Sequence, residues 1–381
     1  MIVGQRLLAE PGEAAAGLAS LAALDPDLVL AFGAPAFFEG PQVHDALRRH
    51  CPRAVIAGCS TAGEISGSRV LDGHCVVTAA RFEGARASVG VTRLASMADS
   101  FDAGYRIAGE IPTEDLVALF VIGPGVRING SALVRGMQLA LPGGVRVSGG
   151  LAADDGAFER TYILGPDGVR EDQVVAIGLH GESVRVSYGS YAGWVPFGPA
   201  RKVTRCRENV LYELDGERAL DIYKKYLGEH AAGLPASGLL FPFEMLGRRQ
   251  EKSGIFRTML AADEAEGSLT LAGEIDPEGY LKLMHSNPER LVDGAEMAAT
   301  AVMEGLPDPR GAALALLVSC VGRKLAMGDR IEEEVEAATA QLGAGATVAG
   351  FYSNGEIAGT GDRGVCRLHN QTMTITWIGE A

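Results

Sequence analysis

No stretch of this chain is apolar for long enough to cross a bilayer, which takes about 20 residues. The longest uncharged apolar stretches lie around Leu116–Val126 and Gly311–Gly322 and read as buried strands. A secretory leader is also missing, because "MIVGQRLLAEPG" meets Arg6 and Glu10 before any extended apolar region can form. Positive charge is in short supply. Lys and Arg number 34 against 48 Asp and Glu, a net charge of −14. Duplex nucleic acid and anionic membranes both favour a basic face, so this balance argues against either as a partner. Local basic clusters exist, such as Arg201, Lys202, Arg205 and Arg207, which are interleaved with strand-like residues and read as a solvated sheet face.

The six cysteines, at 51, 59, 75, 206, 320 and 366, form no C-x-x-C pair and no Cys/His cluster at zinc spacing. A reduced, cytoplasmic protein is the expectation. Several catalytic signatures are absent as well. "IGPGVRINGS" lacks the Gly-Lys-Ser/Thr ending of a phosphate loop, and "AFGAPAFFEG" is not a dinucleotide fingerprint. Neither G-x-S-x-G nor H-E-x-x-H occurs.

What the chain does have is a loop written twice. "GCSTAGEI" (58–65) and "FYSNGEIAG" (351–359) each follow an apolar run and carry Gly-Glu-Ile shortly after a serine. They belong to a longer grammar of strand, helix, strand and polar loop, repeated three times. In the first unit "DLVLAF" leads through a helix around Val43 and Leu47 to "AVIAG" and the loop at Cys59–Glu64. In the second, "LVALFVIG" precedes a helix with Leu133, Met137, Ala140 and Leu141 at helical spacing, then "VRVSGG" and "LAADD". In the third, "AALALLVSC" precedes a helix with Ile331, Val335, Ala338 and Leu342 on one face, then "TVAG" and "FYSNGEI". Each loop is followed by a hairpin-like stretch: "VLDGHCVV", "YILGPDGVREDQVVAIGL" and "GDRGVCRLHNQTMTITWI". Short apolar strands joined through a helix pair in parallel and are covered on both faces. The expected fold is therefore α/β: repeated βαβ-plus-hairpin units forming mixed sheets covered by helices, in two packed halves.

Between the second and third units the grammar changes. "KVTRCRENVLYELDG" reads as two strands, followed by a helix through Ala219, Ile222 and Tyr226, a loop at 228–237, a hairpin in "FRTMLAADEAEGSLTLAGEI" and a helix in "PERLVDGAEMAATAVMEG". The main boundary is placed near Tyr188–Pro199, where "YGSYAGWVPFGP" concentrates Gly, Pro and aromatics. Ligands of parallel sheets bind beyond the carboxyl ends of the strands, where the three polar loops lie. If the units pack in related orientations, the loops converge on one pocket.

"GCSTAGEI", "GGLAADD", "SCVGRK", "FYSNGEIAG" and "HNQTMTITWI", in that order, resemble the FIST family, a sensory domain of signalling proteins. Residues 1–189 resemble its N-terminal portion and 190–381 its C-terminal portion. The resemblance implies a small-ligand sensor in signal transduction, with amino acids among the suggested ligands. No kinase or transducer segment stands within these residues, so the expected output is a partner such as a histidine kinase or a cyclic-di-GMP enzyme. Some members are haem proteins that sense nitric oxide, so haem is the alternative cofactor.

The candidate ligand-binding residues are Cys59, Ser60, Thr61, Glu64, Asp154, Asp155, Arg323, Ser353, Asn354 and Glu356. The hydroxyls, amide and carboxylates would line a polar pocket, and Arg323 would take a ligand carboxylate through its planar fork. Each has a plain structural reading beside it. The serines, Asn354 and the glutamates can close turns or cap helices, two adjacent aspartates supply too few oxygens for a metal, and Arg323 can pair with an internal acid. An alternative enzymatic reading, a hydrolase or transferase, rests on Cys59 or the paired carboxylates, although a nucleophilic cysteine needs a base and a setting that stabilises its thiolate. For haem, His285 and His369 are the candidate axial ligands, with a hydrogen-bonding role for His369 the competing reading.

Overall fold

A computed structural model describes residues 1–306, 311–360 and 365–381. The first unit runs β1 (Ile2–Leu8), α1 (Ala14–Gly17), β2 (Leu28–Gly33), α2 (Gln42–His50), β3 (Val55–Ser60), β4 (Glu64–Ser66), β5 (Arg69–Leu71) and β6 (Cys75–Arg81). The second repeats that order with β7 (Arg86–Arg93), α3 (Ser100–Gly109), β8 (Leu116–Gly123), α4 (Gly130–Ala140), β9 (Arg146–Leu151), β10 (Ile163–Gly165), β11 (Gly168–Arg170) and β12 (Gln173–His180).

The third unit opens with β13 (Val184–Tyr191) and is then interrupted. An insert supplies β14 (Val195–Arg207), β15 (Val210–Leu214), β16 (Glu217–Arg218), α5 (Ala219–Leu227), β17 (Phe243–Leu246), β18 (Lys252–Arg257), β19 (Met259–Asp263), β20 (Ser268–Leu271) and β21 (Tyr280–His285). The unit resumes with α6 (Pro288–Glu304), β22 (Ala313–Cys320), α7 (Val321–Met327), α8 (Ile331–Leu342), β23 (Ala346–Ser353), β24 (Gly355–Thr360), β25 (Val365–His369) and β26 (Met373–Glu380). The turn between β24 and β25, part of the third expected hairpin, lies outside the described residues.

Each unit builds the same four-strand core. The orders are β1-β6-β2-β3, β7-β12-β8-β9 and β13-β26-β22-β23. In every case the last two strands are parallel and the others antiparallel. That leaves the outer edge of β3, β9 and β23 without partners, and an open edge exposes a row of backbone donors and acceptors. The hairpins fill these edges in a cycle. The second unit's β10–β11 pairs with β3, the third unit's β24–β25 pairs with β9, and the first unit's β4–β5 pairs with β23. Three mixed six-stranded sheets result, as the α/β expectation required, while the insert's sheet is antiparallel throughout its described pairings.

Strand periodicity explains how the sheets pack. Leu28, Leu30 and Phe32, then Ala118, Phe120 and Ile122, then Leu314, Leu316 and Val318 all point into one shared central core. The intervening residues point outward, beneath helices of their own unit: Val29 and Ala31 under α1 and α2, Leu119 and Val121 under α3 and α4, Ala315 and Leu317 under α6 and α8. Every first parallel strand is thus buried on both faces, which is why each reads as an unbroken apolar run. The divide between residues 189 and 190 falls inside β13, which is hydrogen-bonded to β26 along its length. The leading strands β1, β7 and β13 were not separately legible in the sequence. Residues 228–237, expected as a loop, are mostly short 3-10 turns.

Phe32 and Phe351 meet at the centre with ring centroids 4.6 Å apart, joining two sheets. Phe351→Ala should therefore cost about 3–5 kcal/mol of stability in urea unfolding. A loss below about 1 kcal/mol would mean that the sheets do not share this core.

Candidate functional site

The three polar loops do come together, at the carboxyl ends of β3, β9 and β23. The backbone amides of Ala153 and Asp155 donate to the carbonyls of Ser60 and Thr61 (2.9 and 3.2 Å), and the Asn354 amide donates to the Leu151 carbonyl (3.2 Å). Their side chains, however, are spent on one another. Thr61 donates to Glu64 (2.5 Å), whose other oxygen accepts from the His74 amide (3.1 Å). Ser353 donates to Glu356 (2.7 Å), whose other oxygen accepts from the Thr372 amide and hydroxyl (3.2 and 2.9 Å). The repeated Gly-Glu-Ile is therefore a repeated lock. A hydroxyl three residues before each glutamate, and the amide just before or at the start of each return strand, hold a fully buried carboxyl at the point where the chain crosses to the neighbouring sheet.

Burial dominates the chemistry of these acids. It pushes Glu64 up to about 7 and Glu356 up to about 8, against the opposing pull of their hydrogen-bond donors. Ser60 is also internal, accepting from the Tyr162 amide at 2.9 Å. Asp154 accepts from the amides of Phe158, Glu159 and Arg160 (2.9, 2.7 and 2.8 Å) and so shapes its own loop. Asp155 is exposed, with Lys324 nearby, and burial raises its carboxyl. Asn354 reaches the Gly125 carbonyl at 3.4 Å.

Arg323 has no exposed surface and serves no open pocket. Its guanidinium pairs with Glu334 (2.7 Å) and donates to the carbonyls of Leu291 (2.8 Å) and Ala192. Glu334 is completed by the hydroxyls of Ser319 and Tyr352, both at 2.9 Å. The Cys59 thiol lies in the central core, and burial raises it well above the ordinary thiol range. A thiol held protonated in an apolar core is a poor nucleophile.

A large open cleft lies elsewhere. It measures about 810 Å³ and separates the insert from the third unit. One wall is the continuous run Tyr188–Pro196, together with the α6 face bearing Arg290, Asp293, Met297 and Ala301. Glu244, Lys252, Phe256 and Met284 of the insert form the other wall, and His369 and Thr372 lie at the floor. Both chain crossings into the insert run side by side at its base, where Ser286 donates to the Gly193 carbonyl (2.8 Å). Gly193 has φ +80°, and a Cβ there would stand 2.3 Å from the Arg290 carbonyl oxygen, so the crossing tolerates no side chain. Beneath the cleft, Trp194 packs with Phe256, Met284 and Leu291, and its indole donates to the Gln371 carbonyl (2.9 Å).

His369 sits in this floor at 1% exposure. Its Nε2 faces the Ala358 carbonyl at 3.3 Å and so carries the proton, and Nδ1 has no hydrogen-bond partner among the described residues. Burial and the nearby Arg257 push the ring down to about 4, so it is neutral. Neither candidate histidine suits an axial haem ligand. His285 is exposed, edge-on to Phe197, and does not line the cleft. His369 offers only Nδ1, where a macrocycle would strike the residue's own Cβ and main chain.

Family models of the FIST N domain and the FIST C domain match residues 27–217 and 219–359. The chain belongs to the FIST family. FIST domains are sensor domains of signal transduction. The border between the two matches falls within the insert, so the FIST N match extends through β13 into the unit it opens. An uncharacterized protein of Methanocaldococcus jannaschii is 27% identical over 202 residues, covering 50% of this chain and 38% of that protein's length. Two structures of cyanuric acid hydrolase, one from A. caulinodans, are similar over the whole chain at 11% and 12% identity, with TM-scores of 0.38 and 0.35. No helix among the described residues is long and apolar enough to cross a membrane.

Sequence reasoning passed over Glu244 and Lys252, on one hairpin, and Arg290, well downstream, which carry no shared motif. The signals available are the Gly- and aromatic-rich 188–199 run, which reads as a boundary, and "HNQT", whose His369 reads as a haem candidate or a hydrogen-bonding residue.

The locks at Glu64 and Glu356 predict a pH dependence. Each acid titrates higher in the folded chain than its ordinary 4.5, so its favourable contribution is complete below about pH 4.5 and is lost as pH rises through about 7 and 8. Between pH 5 and 8.5, wild-type stability should fall relative to the Glu64→Gln, Glu356→Gln double variant by several kcal/mol, on the order of 3 kcal/mol per acid. Parallel stability curves for the two proteins would show that these carboxyls titrate normally.

Proposed function

We propose that this FIST protein is a small-molecule sensor whose ligand occupies the cleft between the insert and the third unit. The observation that carries the reading is the buried, neutral His369 with an unpartnered nitrogen in the floor of a cleft whose volume suits a ligand. Both walls carry charge and aromatic surface, so one molecule can touch the insert and the three-unit core together. The paired crossings at Gly193 and Ser286 form the base about which the walls can shift. A ligand that binds one arrangement better by a few kcal/mol draws the population to it. That shift passes to a separate signalling protein, of the histidine kinase or cyclic-di-GMP enzyme kind.

The test is a thermal-shift screen of amino acids, small organic acids and nucleotides against the wild type and Met297→Trp. Met297 is 47% exposed on the cleft wall, so a larger side chain fills the cleft without entering the core. A true ligand at a hundred times its Kd should raise Tm by about 3–4 °C in the wild type and leave the variant unmoved. A shift that survives Met297→Trp would put the site elsewhere. Haemin, titrated in the same way and followed by absorption, should give no saturable one-to-one band. Such a band, lost in His369→Ala, would overturn the geometric argument against haem.

A further inference from the structure

The cleft lining carries two cations, Lys252 and Arg290, and two acids, Glu244 and Asp293, in a chain of net charge −14. Lys252 and Arg290 line it from opposite walls. The turn between β17 and β18 (247–251) carries Arg248 and Arg249 just before the cleft-lining Lys252, and all three are exposed, as is Arg290. None of these four cations makes an ion pair with another described residue. Lys252 and Arg290, unpaired on opposite walls of one cleft, are free to receive an anion.

Deeper in, the character changes. Glu244, on β17, is 4% exposed and makes no side-chain hydrogen bond or ion pair with another described residue. Its register neighbours are Phe256, which also lines the cleft, and Lys282 of β21, and the charges of Lys252 and Lys282 act on its carboxyl. A carboxyl that lines the cleft without a hydrogen-bond donor of its own is open to one from a ligand. Its natural complement is a planar edge of N–H donors, and His369 Nδ1 at the floor is a further acceptor awaiting a donor. Tyr188, Tyr191, Trp194 and Phe256 line the same cleft with aromatic surface. Planar rings settle on such surfaces.

From acceptors, aromatic faces and unpaired cations lining one cleft, we propose that the cleft binds a purine nucleotide. The base enters with its N–H edge toward Glu244 and His369, and its phosphate remains at Lys252 and Arg290. The inference rests on the cleft being the sensor's ligand site, and it names the class of molecule that site takes. No covalent step is involved.

The experiment is isothermal titration of the full chain with AMP and GMP, with adenosine and guanosine as phosphate-free probes and inorganic phosphate as the ring-free probe. At least one nucleotide should bind at one per chain, and its nucleoside should bind at least about tenfold more weakly, a loss of about 1.4 kcal/mol. In Lys252→Ala, Arg290→Ala the nucleotide should fall to the nucleoside's affinity, because only the phosphate contact is removed. In Glu244→Gln nucleotide and nucleoside should weaken by the same factor, because the base contact is common to both. His369→Gln, which keeps an acceptor, should retain more affinity than His369→Leu.

Binding of phosphate as tightly as the nucleotide would overturn the role given to the base. If neither nucleotide binds while another compound does, and Met297→Trp abolishes that binding, the cleft stands and the nucleotide assignment falls. If the compound that binds is indifferent to Met297→Trp, both fall.

Discussion

The architecture depends on one unmet requirement, the open edge of the second parallel strand in each unit. A parallel pair followed by a return strand beside the first member leaves the second member's outer amides and carbonyls without partners. The chain meets this by sending each unit's hairpin to a neighbour, first to third, second to first and third to second. The exchange closes a cycle, so no unit is complete without the other two. It also forces three crossings at one end of the central core, and two of them carry the same lock, with Thr61 and Glu64 in one and Ser353 and Glu356 in the other.

Much of the scaffold was legible because its causes are local. "LVLAF", "ALFVI" and "LALLV" are apolar at every position because each strand faces the shared core on one side and helices on the other. The helices announced themselves through Val43 and Leu47, Leu133 and Met137, and Val335 and Ala338. The destination of the hairpins was not legible. Ile163 pairs with Cys59 rather than with a strand of its own unit, and no local pattern distinguishes those outcomes. The converging loops were foreseeable, but not that their polar atoms would satisfy each other. A Ser/Thr-x-x-Glu spacing serves a pocket or a lock equally well, and the difference is burial.

The candidate site arises where the repetition fails. The first and second units pass from their leading strand to a helix within a short span, whereas the third admits the whole insert between β13 and α6. Symmetric packing then leaves no counterpart for the insert's inner face, and the cleft is the space between that face and the unit it interrupts. Arg323 reinforces the same region from within. Its buried guanidinium ties α8 to the Ala192 and Leu291 carbonyls, fixing the inner wall while the insert remains attached through two adjacent crossings. Removing either member of such a buried pair leaves a charge uncompensated, so the pair holds its geometry firmly.

The central claim is that the repeated polar loops hold the fold together while the interrupted unit binds the ligand. Hydrogen exchange separates these roles most directly, with the full chain compared alone and with the first compound that raises its Tm. The account predicts slowed exchange in 188–196, 252–257 and 290–301, and no change in 58–65 and 351–359, which are already protected without ligand. Ligand-induced protection confined to those two loops, with the cleft walls unaffected, would contradict it.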